Sequence, residues 1–331
     1  MKNIVISDEF LAGELKPSDL LKQYIALVGK EIAEFFPAHK LTPVNCPACD
    51  SPDVRRKFTK LSLTYHECAD CLSLYVAKRP SDADIARFYK TSKARGFWNE
   101  KLYSSTAPRR PEKIIKPRIQ WMEDSAQEYL PKAGQYADIN TNQRGYVDQI
   151  AEFSLFPDRS LINPLIPLHA NDIPKDITVA AELRGMFDVI SLFEALDHTS
   201  DVKGLMTKIH DSLNKGGLVF ITGILSSGFD IKILGEHAEN IYPPDRLNVF
   251  SVEGIKRLAA SNGFECLELS TPGILDVDFV VKALREGASA QVCAFTRDLV
   301  LNSSPETRRS FQEFLQANLL SSYGRVLLRK V

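Results

Sequence analysis

Apolar residues recur at intervals of three and four along residues 18–36, and this spacing predicts an amphipathic helix. A second helix is expected over 81–90. The stretch 111–129 also has a helical pattern, with a kink or break near Pro117, because proline lacks the amide hydrogen that a helix interior needs. Helices therefore flank the polar, cysteine-containing stretch 41–78.

From about residue 133 the pattern changes to short apolar runs that alternate with helical segments. This alternation is typical of an α/β domain with a mostly parallel sheet. The run 187–193 is apolar almost throughout and predicts a buried strand. The strands are expected at 135–139, 160–162, 187–193, 218–222, 264–270 and 325–331, with helices at 146–153, 202–213, 251–262 and 304–319.

The composition fits a globular protein of 331 residues, 44% of them hydrophobic. The 41 basic and 42 acidic residues give a net charge of −1, which offers no electrostatic attraction to bulk nucleic acid or to an anionic membrane. No apolar run is long enough for a transmembrane helix, and the first residues lack a signal-peptide pattern. A cytoplasmic protein without a membrane partner is expected.

Two CxxC pairs, Cys46 with Cys49 and Cys68 with Cys71, have the spacing of a four-cysteine zinc ribbon. Each pair forms a tight turn that presents two thiolates, and residues 55–66 between them are expected to form a hairpin. Four protein ligands fill the metal shell, so the zinc would be structural. The alternatives are a redox dithiol and free thiols.

Two phrases in the second half of the chain carry a family resemblance. They are FDVISLFEALDH at 187–198 and LNKGGLVFI at 213–221. The first resembles the fourth strand of class I S-adenosylmethionine-dependent methyltransferases and the loop after it, and the second resembles the turn into their fifth strand. The loop NIYPPDRLNVFS at 240–251 resembles that of bacterial sugar C-methyltransferases with an N-terminal zinc-binding domain. The resemblance implies an α/β fold, a Rossmann-like methyltransferase sheet preceded by a helical segment and a small zinc ribbon.

The same resemblance implies a division of the chain. An N-terminal helix would occupy 1–40, the zinc ribbon 41–80 and a helical connector 81–132. The methyltransferase-like domain would occupy 133–331, with a helical insertion at about 281–320 before the last strand.

In such a domain the first strand runs into a glycine-rich turn that holds the cofactor. Here Asp138 supplies the acidic residue of that motif, but Asn140, Asn142 and Arg144 stand at the glycine positions. Glycine lets the backbone approach a ligand closely, and asparagine is among the residues that best tolerate the same positive φ. The resemblance thus implies S-adenosylmethionine binding by Asp138, Asn140 and Asn142 through an altered turn.

Other residues match the cofactor positions of the family. Asn163 falls where an acidic residue normally binds the ribose hydroxyls, and an amide makes a weaker contact there. Asp172 falls at the position that accepts from the adenine amino group. Phe193 and Glu194 belong to the loop after the fourth strand.

The catalytic loop of the sugar C-methyltransferases carries a Glu-His pair, and here Asp245 and Arg246 take its place. Removal of a carbon-bound proton needs a base, and Asp245 offers one whereas arginine does not. Tyr242 remains in the loop, and His237 lies nearby in the sequence as another candidate base. A solvated loop histidine explains His237 as well.

Two functions are consistent with these residues. The first is a methyltransferase that acts on a sugar or nucleotide-sugar small molecule. The second is a catalytically inactive methyltransferase-like protein, such as a scaffold, a partner subunit or a binder of another ligand. A third, in which the basic residues 55–57 and Phe58 of the ribbon bind RNA, is disfavoured by the neutral net charge.

Overall fold

The computed structural model of the protein describes residues 17–166, 168, 173–288 and 292–331. Within them the helices are α1 (Ser18–Phe35), α2 (Asp82–Thr91), α3 (Lys93–Phe97), α4 (Lys116–Tyr129), α5 (Arg144–Ala151), α6 (Val202–Ser212), α7 (Phe229–Leu234), α8 (Val252–Ser261), α9 (Asp276–Arg285), α10 (Ala294–Leu301) and α11 (Pro305–Ala317). Short π, α and 3₁₀ turns connect α3 to α4.

The strands are β1 (Thr42–Pro43), β2 (Val54–Lys60), β3 (Leu63–Cys68), β4 (Leu74–Val76), β5 (Lys78–Arg79), β6 (Gln135–Ile139), β7 (Asp158–Ile162), β8 (Ile177–Ala180), β9 (Phe187–Phe193), β10 (Leu213–Ile224), β11 (Asn248–Val249), β12 (Phe264–Ser270) and β13 (Tyr323–Lys330). Seven of them form one central sheet in the order β12-β13-β10-β9-β6-β7-β8. The β8-β7-β6-β9-β10 pairs are parallel, and β13 runs antiparallel to β10 and β12.

This α/β arrangement confirms the expected Rossmann-like methyltransferase sheet. Strand order reverses between β6 and β9, so a crevice opens outside the carboxyl ends of those two strands, where open α/β sheets bind ligands. One face of the sheet packs on α4 and α5, and the other packs on α6 and α8.

Local sequence accounts for the helix ends that position this sheet. Ser81, Ser251 and Ser304 each accept a hydrogen bond from a backbone amide in the first turn of the helix that follows. Gly263 ends α8 with φ 76°, a conformation that residues with a Cβ rarely adopt. The strands 135–139, 187–193 and 264–270 have the bounds that the sequence predicts.

Several features differ from the sequence prediction, among them the strand expected at 218–222, which begins at Leu213. The strand β8 lies in a stretch whose short, partly exposed sequence has no clear strand pattern. The expected helix over 111–129 begins with a π-helical turn at Pro111–Ile115, and the regular helix α4 starts beside Pro117. None of the described helices is both long and apolar enough to cross a membrane.

A second sheet has four strands in the order β11-β4-β3-β2. Its hairpin β2–β3 is the one expected between the cysteine pairs. The edge strand β11 belongs to the segment between β10 and α8, so two distant parts of the chain complete one sheet. The cysteine-containing segment is therefore built into the α/β domain through backbone hydrogen bonds.

Candidate functional site

The four cysteines of the CxxC pairs come together as expected. Their sulfur atoms all lie within 4.8 Å of one another. The Sγ atoms of Cys46 and Cys71 are 3.5 Å apart, and those of Cys49 and Cys68 are 3.6 Å apart. A tetrahedral zinc with Zn–S bonds of about 2.3 Å separates its sulfurs by roughly 3.8 Å. The donor set and its geometry thus fit Zn²⁺.

Polar contacts tie this cysteine cluster to the start of α8. The Ser251 side chain donates to the carbonyl of Cys71, and the backbone amide of Ser251 donates to Ser73 Oγ at 3.0 Å. The backbone of Gly254 comes so close that a Cβ there would lie 2.1 Å from Ser73 Oγ. The cysteine turns and α8 are therefore packed as one unit.

At the end of β6, Asp138 is buried and faces the α4–α5 side of the sheet. Ser191 and Thr141 both donate hydroxyl hydrogen bonds to its carboxylate. Burial raises the pKa of Asp138 to about 7, and the two hydrogen bonds oppose that rise. Asp138 thus holds the turn after β6 to the neighbouring strand β9.

The turn itself keeps a glycine-like backbone. Asn140 has φ 56° and Asn163, at the end of β7, has φ 48°. Their side chains meet at the neighbouring carboxyl ends of β6 and β7, where Asn163 Nδ2 donates to Asn140 Oδ1 at 2.9 Å. Both side chains are half-buried, so the two amides are also accessible to a ligand.

Asn142 lies deeper, 5% exposed, and its Nδ2 is 3.3 Å from Nδ1 of His198. Its backbone carbonyl accepts from Arg95 Nη2 at 2.8 Å. Burial lowers the pKa of His198 to about 4, so the ring is neutral at pH 7. Asn142 Oδ1 and His198 Nε2 have no hydrogen-bond partner among the described residues.

Arg144, at the third glycine position, does not enter the crevice. It is the first residue of α5, and its guanidinium pairs with Asp148 one turn later at 3.2 Å. The side chain is 39% exposed. The bulk and charge of Arg144 therefore lie on the surface of the helix.

Phe193 and Glu194 end β9 beside the crevice. Glu194 takes φ 58°, and its carboxylate lies 3.3 Å from Nη2 of Arg246. Arg246 also pairs with the buried Asp197 at 3.4 Å. The loop after β9 and the loop that carries Arg246 are thus joined by ion pairs.

The catalytic candidates Tyr242 and Asp245 lie in the same buried network. Tyr24 and Tyr89 donate their hydroxyls to the two carboxylate oxygens of Asp245, and Arg95 lies 3.7 Å away. Burial raises the pKa of Tyr242, which keeps its phenol protonated at neutral pH. The structure brings both residues to the crevice side of the molecule, with Asp245 held by phenols from α1 and α2.

The candidate base His237 lies apart from this network. His237 is exposed on a 3₁₀ turn with its Nε2 4.0 Å from Glu236. Asp172 lies outside the described residues, so its predicted adenine contact stays a prediction.

The buried arginines of this region could not be predicted from the sequence pattern. Arg95 and Arg118 are 4% and 2% exposed, although both lie in segments whose pattern suggests ordinary helix surface. The signal available in the sequence was weak: each arginine stands within three residues of a tryptophan, Trp98 or Trp121, on the same helical segment. Arg95 lies over the Trp98 ring at 5.4 Å, and Arg118 lies over Phe193 at 4.7 Å.

The central region is similar to one known family. Residues 131–269 match the profile of the family described as "Methyltransferase domain". This stretch contains the turn at Asn140, the strand β9 and the loop with Asp245 and Arg246. No curated protein matches the chain significantly.

Several solved methyltransferases are similar to this chain at low sequence identity and low TM-score. The amino pentose methyltransferase CalS10 from Micromonospora echinaspora is 13% identical over 52% of this chain and 91% of its own, with a TM-score of 0.36. The plantazolicin methyltransferase BpumL, in complex with SAH, is 11% identical over 74% and 93%, with a TM-score of 0.43. Coclaurine N-methyltransferase is 13% identical over 66% and 74%, with a TM-score of 0.38.

Proposed function

We propose that this chain is an S-adenosylmethionine-dependent methyltransferase that acts on a small molecule of the sugar or nucleotide-sugar class. The observation that carries the proposal is the match of residues 131–269 to the methyltransferase-domain family, together with the positive φ of Asn140 in the turn after β6. The sugar class rests on the sequence of the loop 240–251. The residues that would bind the cofactor and the substrate are part of the same proposal.

The residues at the crevice fit the cofactor in two respects. Asn140 keeps the positive φ that a glycine would give, and the half-exposed amides of Asn140 and Asn163 offer a donor and an acceptor to the ribose hydroxyls. The buried atoms Asn142 Oδ1 and His198 Nε2 lack a partner that a polar ligand would supply. Asn142, Phe193 and Glu194 would flank the methionine portion, and Asp172 the adenine.

S-adenosylmethionine, when bound, supplies an electrophilic methyl group on its sulfonium. The residues of this chain contribute position and shielding from water. Asp245 is held by two phenols, and Arg246 by two carboxylates, so the loop that carries them is fixed on the crevice. Tyr242, protonated at neutral pH, can donate a hydrogen bond to a substrate oxygen. Asp245 and His237 remain the proposed proton acceptors.

Isothermal titration calorimetry with S-adenosylhomocysteine tests the proposal directly. Binding of micromolar strength is expected for the full chain, and loss of most of it is expected in Asn142→Leu. Asn302→Leu, a change on the surface at the end of α10, serves as the control. Absence of any heat with both S-adenosylmethionine and S-adenosylhomocysteine would rule out the methyltransferase.

One observation favours a methyltransferase-like protein without methyl transfer. The Asn163–Asn140 hydrogen bond spans the place where the ribose would lie, and it must break for the cofactor to enter. Under this second proposal, a variant with glycine at 140, 142 and 144 retains the native role of the protein. Calorimetry on the wild type separates the two proposals, because only the methyltransferase should bind S-adenosylhomocysteine.

We further propose that the four cysteines bind one structural Zn²⁺. The thiolates Cys46, Cys49, Cys68 and Cys71 complete a tetrahedral shell and leave no open position for catalysis. Elemental analysis of the purified protein should give one zinc per chain. A metal content near zero, with four thiols titrating in the native protein, would contradict this site.

A further inference from the structure

A set of buried polar atoms lies between the α4–α5 layer and the sheet without hydrogen bonds of full geometry. We call it the Arg118 cluster, and it consists of Arg118 Nε and Nη1, Tyr146 OH, Gln149 Oε1 and Nε2, Thr222 Oγ1 and Arg325 Nε. Each of these atoms is nearly inaccessible, and none meets a partner at full hydrogen-bond geometry within the described residues. Arg118 interacts with the Tyr146 hydroxyl, and Arg325 with that of Tyr323, but these contacts leave most of the cluster unsatisfied. Native proteins satisfy nearly all such groups, so a set of this size indicates a group that binds there.

The members of the cluster lie on one side of the sheet. Arg118 on α4 lies 5.1 Å over the Tyr146 ring and 4.7 Å over Phe193. Thr222 and Arg325 are cross-strand partners on β10 and β13, and their side chains therefore share a face. That face is the α4 side, because Arg325 lies 5.5 Å over the Trp121 ring. Gln149 follows Tyr146 by three residues on α5, on the same helix face.

The cluster lies at the carboxyl ends of β9 and β10. Phe193 and Thr222 are register partners near the ends of those strands, and Glu194 donates its amide to the Thr222 carbonyl at 2.8 Å. Tyr323, which accepts from Arg118 Nη2 at 3.0 Å, is half-buried and connects the cluster to the surface. This edge adjoins the proposed cofactor turn, as a substrate site in an open α/β sheet would.

Two buried cations face each other here. Burial lowers the pKa of Arg325, and the neighbouring Arg118 cation lowers it further. The acidic groups nearby are shared: Glu194 attracts Arg118 but also pairs with Arg246, Asp138 accepts from two hydroxyls, and Glu268 accepts from the Trp121 indole. Buried guanidinium groups are stable when they bind an anion, and a planar fork suits a carboxylate or a phosphate.

We propose that Arg118 and Arg325 bind the anionic group, a carboxylate or a phosphate, of a ligand that enters at the carboxyl ends of β9 and β10. Tyr146, Gln149 and Thr222 supply further hydrogen bonds to the same ligand. The inference rests on the proposed function, since it names the chemistry of the ligand in that site. The anion has two possible sources, the carboxylate of the cofactor's methionine portion and an acidic group of the substrate.

Thermal unfolding of the full chain with sodium phosphate, against sodium chloride at equal ionic strength, tests the subsite. Phosphate should raise the melting temperature of the wild type and of Arg329→Gln, a control at the exposed end of the same strand as Arg325. It should not raise that of Arg118→Met or Arg325→Met. Without phosphate, Arg118→Met should melt at or above the wild-type temperature, because it removes a buried charge.

Arg118→Lys provides a variant that keeps the charge and loses the fork, and its response to phosphate should be intermediate. The subsite is refuted if phosphate stabilises Arg118→Met and Arg118→Lys as much as the wild type, or if it stabilises none of the proteins. Chloride that reproduces the whole effect refutes it as well.

The source of the anion follows from titrations with S-adenosylhomocysteine and with methylthioadenosine, which lacks the carboxylate. If Arg118→Met weakens S-adenosylhomocysteine roughly tenfold or more and leaves methylthioadenosine unchanged, the cofactor supplies the anion. If neither affinity changes while the phosphate response is lost, the substrate supplies it. If the wild type binds phosphate through Arg118 but binds neither nucleoside, the anion subsite is supported and the proposed methyltransferase activity is refuted.

Discussion

At the scale of single residues, the proposed cofactor site depends on two asparagines with positive φ. Asn140 and Asn163 adopt positive φ, and their side chains bond to each other at 2.9 Å. The sequence predicted that asparagine can occupy the turn. It did not predict this hydrogen bond, because a contact between residues 23 positions apart depends on the pairing of β6 with β7.

Replacement of Asn163 tests this arrangement. Asn163→Asp removes the amide donor to Asn140 and offers the ribose hydroxyls two charged acceptors, so the affinity for S-adenosylhomocysteine should rise roughly tenfold. Calorimetry measures the change, and Asn302→Asp on the exposed end of α10 should leave the affinity as it is. Weaker binding in Asn163→Asp would mean that the ribose does not reach this position.

The protonation of Asp138 gives a second prediction at this scale. Its pKa is about 7 in the folded protein and about 3.9 in an unfolded chain, so it contributes stability at low pH that is lost as pH rises from about 4 to 7. The stability of Asp138→Asn relative to wild type should therefore increase with pH over that range, by up to about 1.4 kcal/mol per pH unit. Urea unfolding at several pH values measures it.

The pH profile of the wild type alone would not reveal this effect. His198 acts in the opposite direction, because its lowered pKa of about 4 makes the folded state less stable as pH falls below about 6.5. The difference between wild type and Asp138→Asn removes the contribution of His198. A difference that stays constant from pH 4 to 7 would show that Asp138 is ionised in the fold.

At the scale of secondary-structure elements, the sequence predicted the helices and strands whose hydrophobic periodicity is clear. The buried strand 187–193 and the capped helix after Ser251 lie as expected, since their patterns and caps are local. The strand β8 and the buried Arg118 were missed, because both depend on tertiary neighbours. The same holds for the candidate site. The sequence pattern pointed to the cysteines and to the turn after β6, but not to the arginines buried between the α4–α5 layer and the sheet.

Glycines at element ends offer a test of packing. A Cβ on Gly228, the residue before α7, would lie 2.3 Å from Ser322 Cβ and 2.4 Å from its Cα. Gly228→Ala must therefore displace the backbone before β13, and a loss of about 1–3 kcal/mol in the free energy of unfolding is expected. Urea unfolding measures this loss.

Gly96 within α3 is the matched control, because a Cβ there meets nothing within 4 Å. Gly96→Ala should leave the protein as stable or raise its stability by up to about 1 kcal/mol, since alanine favours a helix. Equal effects of the two changes would place α7 away from Ser322.

At the scale of the whole molecule, the ribbon and the α/β domain share a sheet and polar contacts. β11 completes the ribbon sheet, and the Tyr65 hydroxyl donates to the carbonyl of Arg246 at 2.5 Å. Lys60 reaches the carbonyl of Ala238 at 2.6 Å from the same hairpin. Loss of the ribbon's structure would therefore loosen the loop that holds Asp245 and Arg246.

Metal removal should show this connection. Chelation of the proposed zinc, or Cys68→Ser, is expected to lower the melting temperature of the whole chain and to weaken the calorimetric affinity for S-adenosylhomocysteine. Differential scanning calorimetry should show one transition that moves, because the two sheets are joined. Cys293→Ser, an exposed cysteine far along the sequence, should behave as the wild type. A separate low-temperature transition for the ribbon would contradict the joint unfolding.

The strand β11 also constrains how related chains can diverge. It begins two residues after Arg246, so a change in the length or register of the hairpin β3–β4 shifts the position of the loop beside the crevice. A ribbon taken from another protein could not be substituted unless its edge accepted residues 248–249. Among homologous sequences, positions 74–75 and 248–249 should therefore vary together, and insertions should be absent from both.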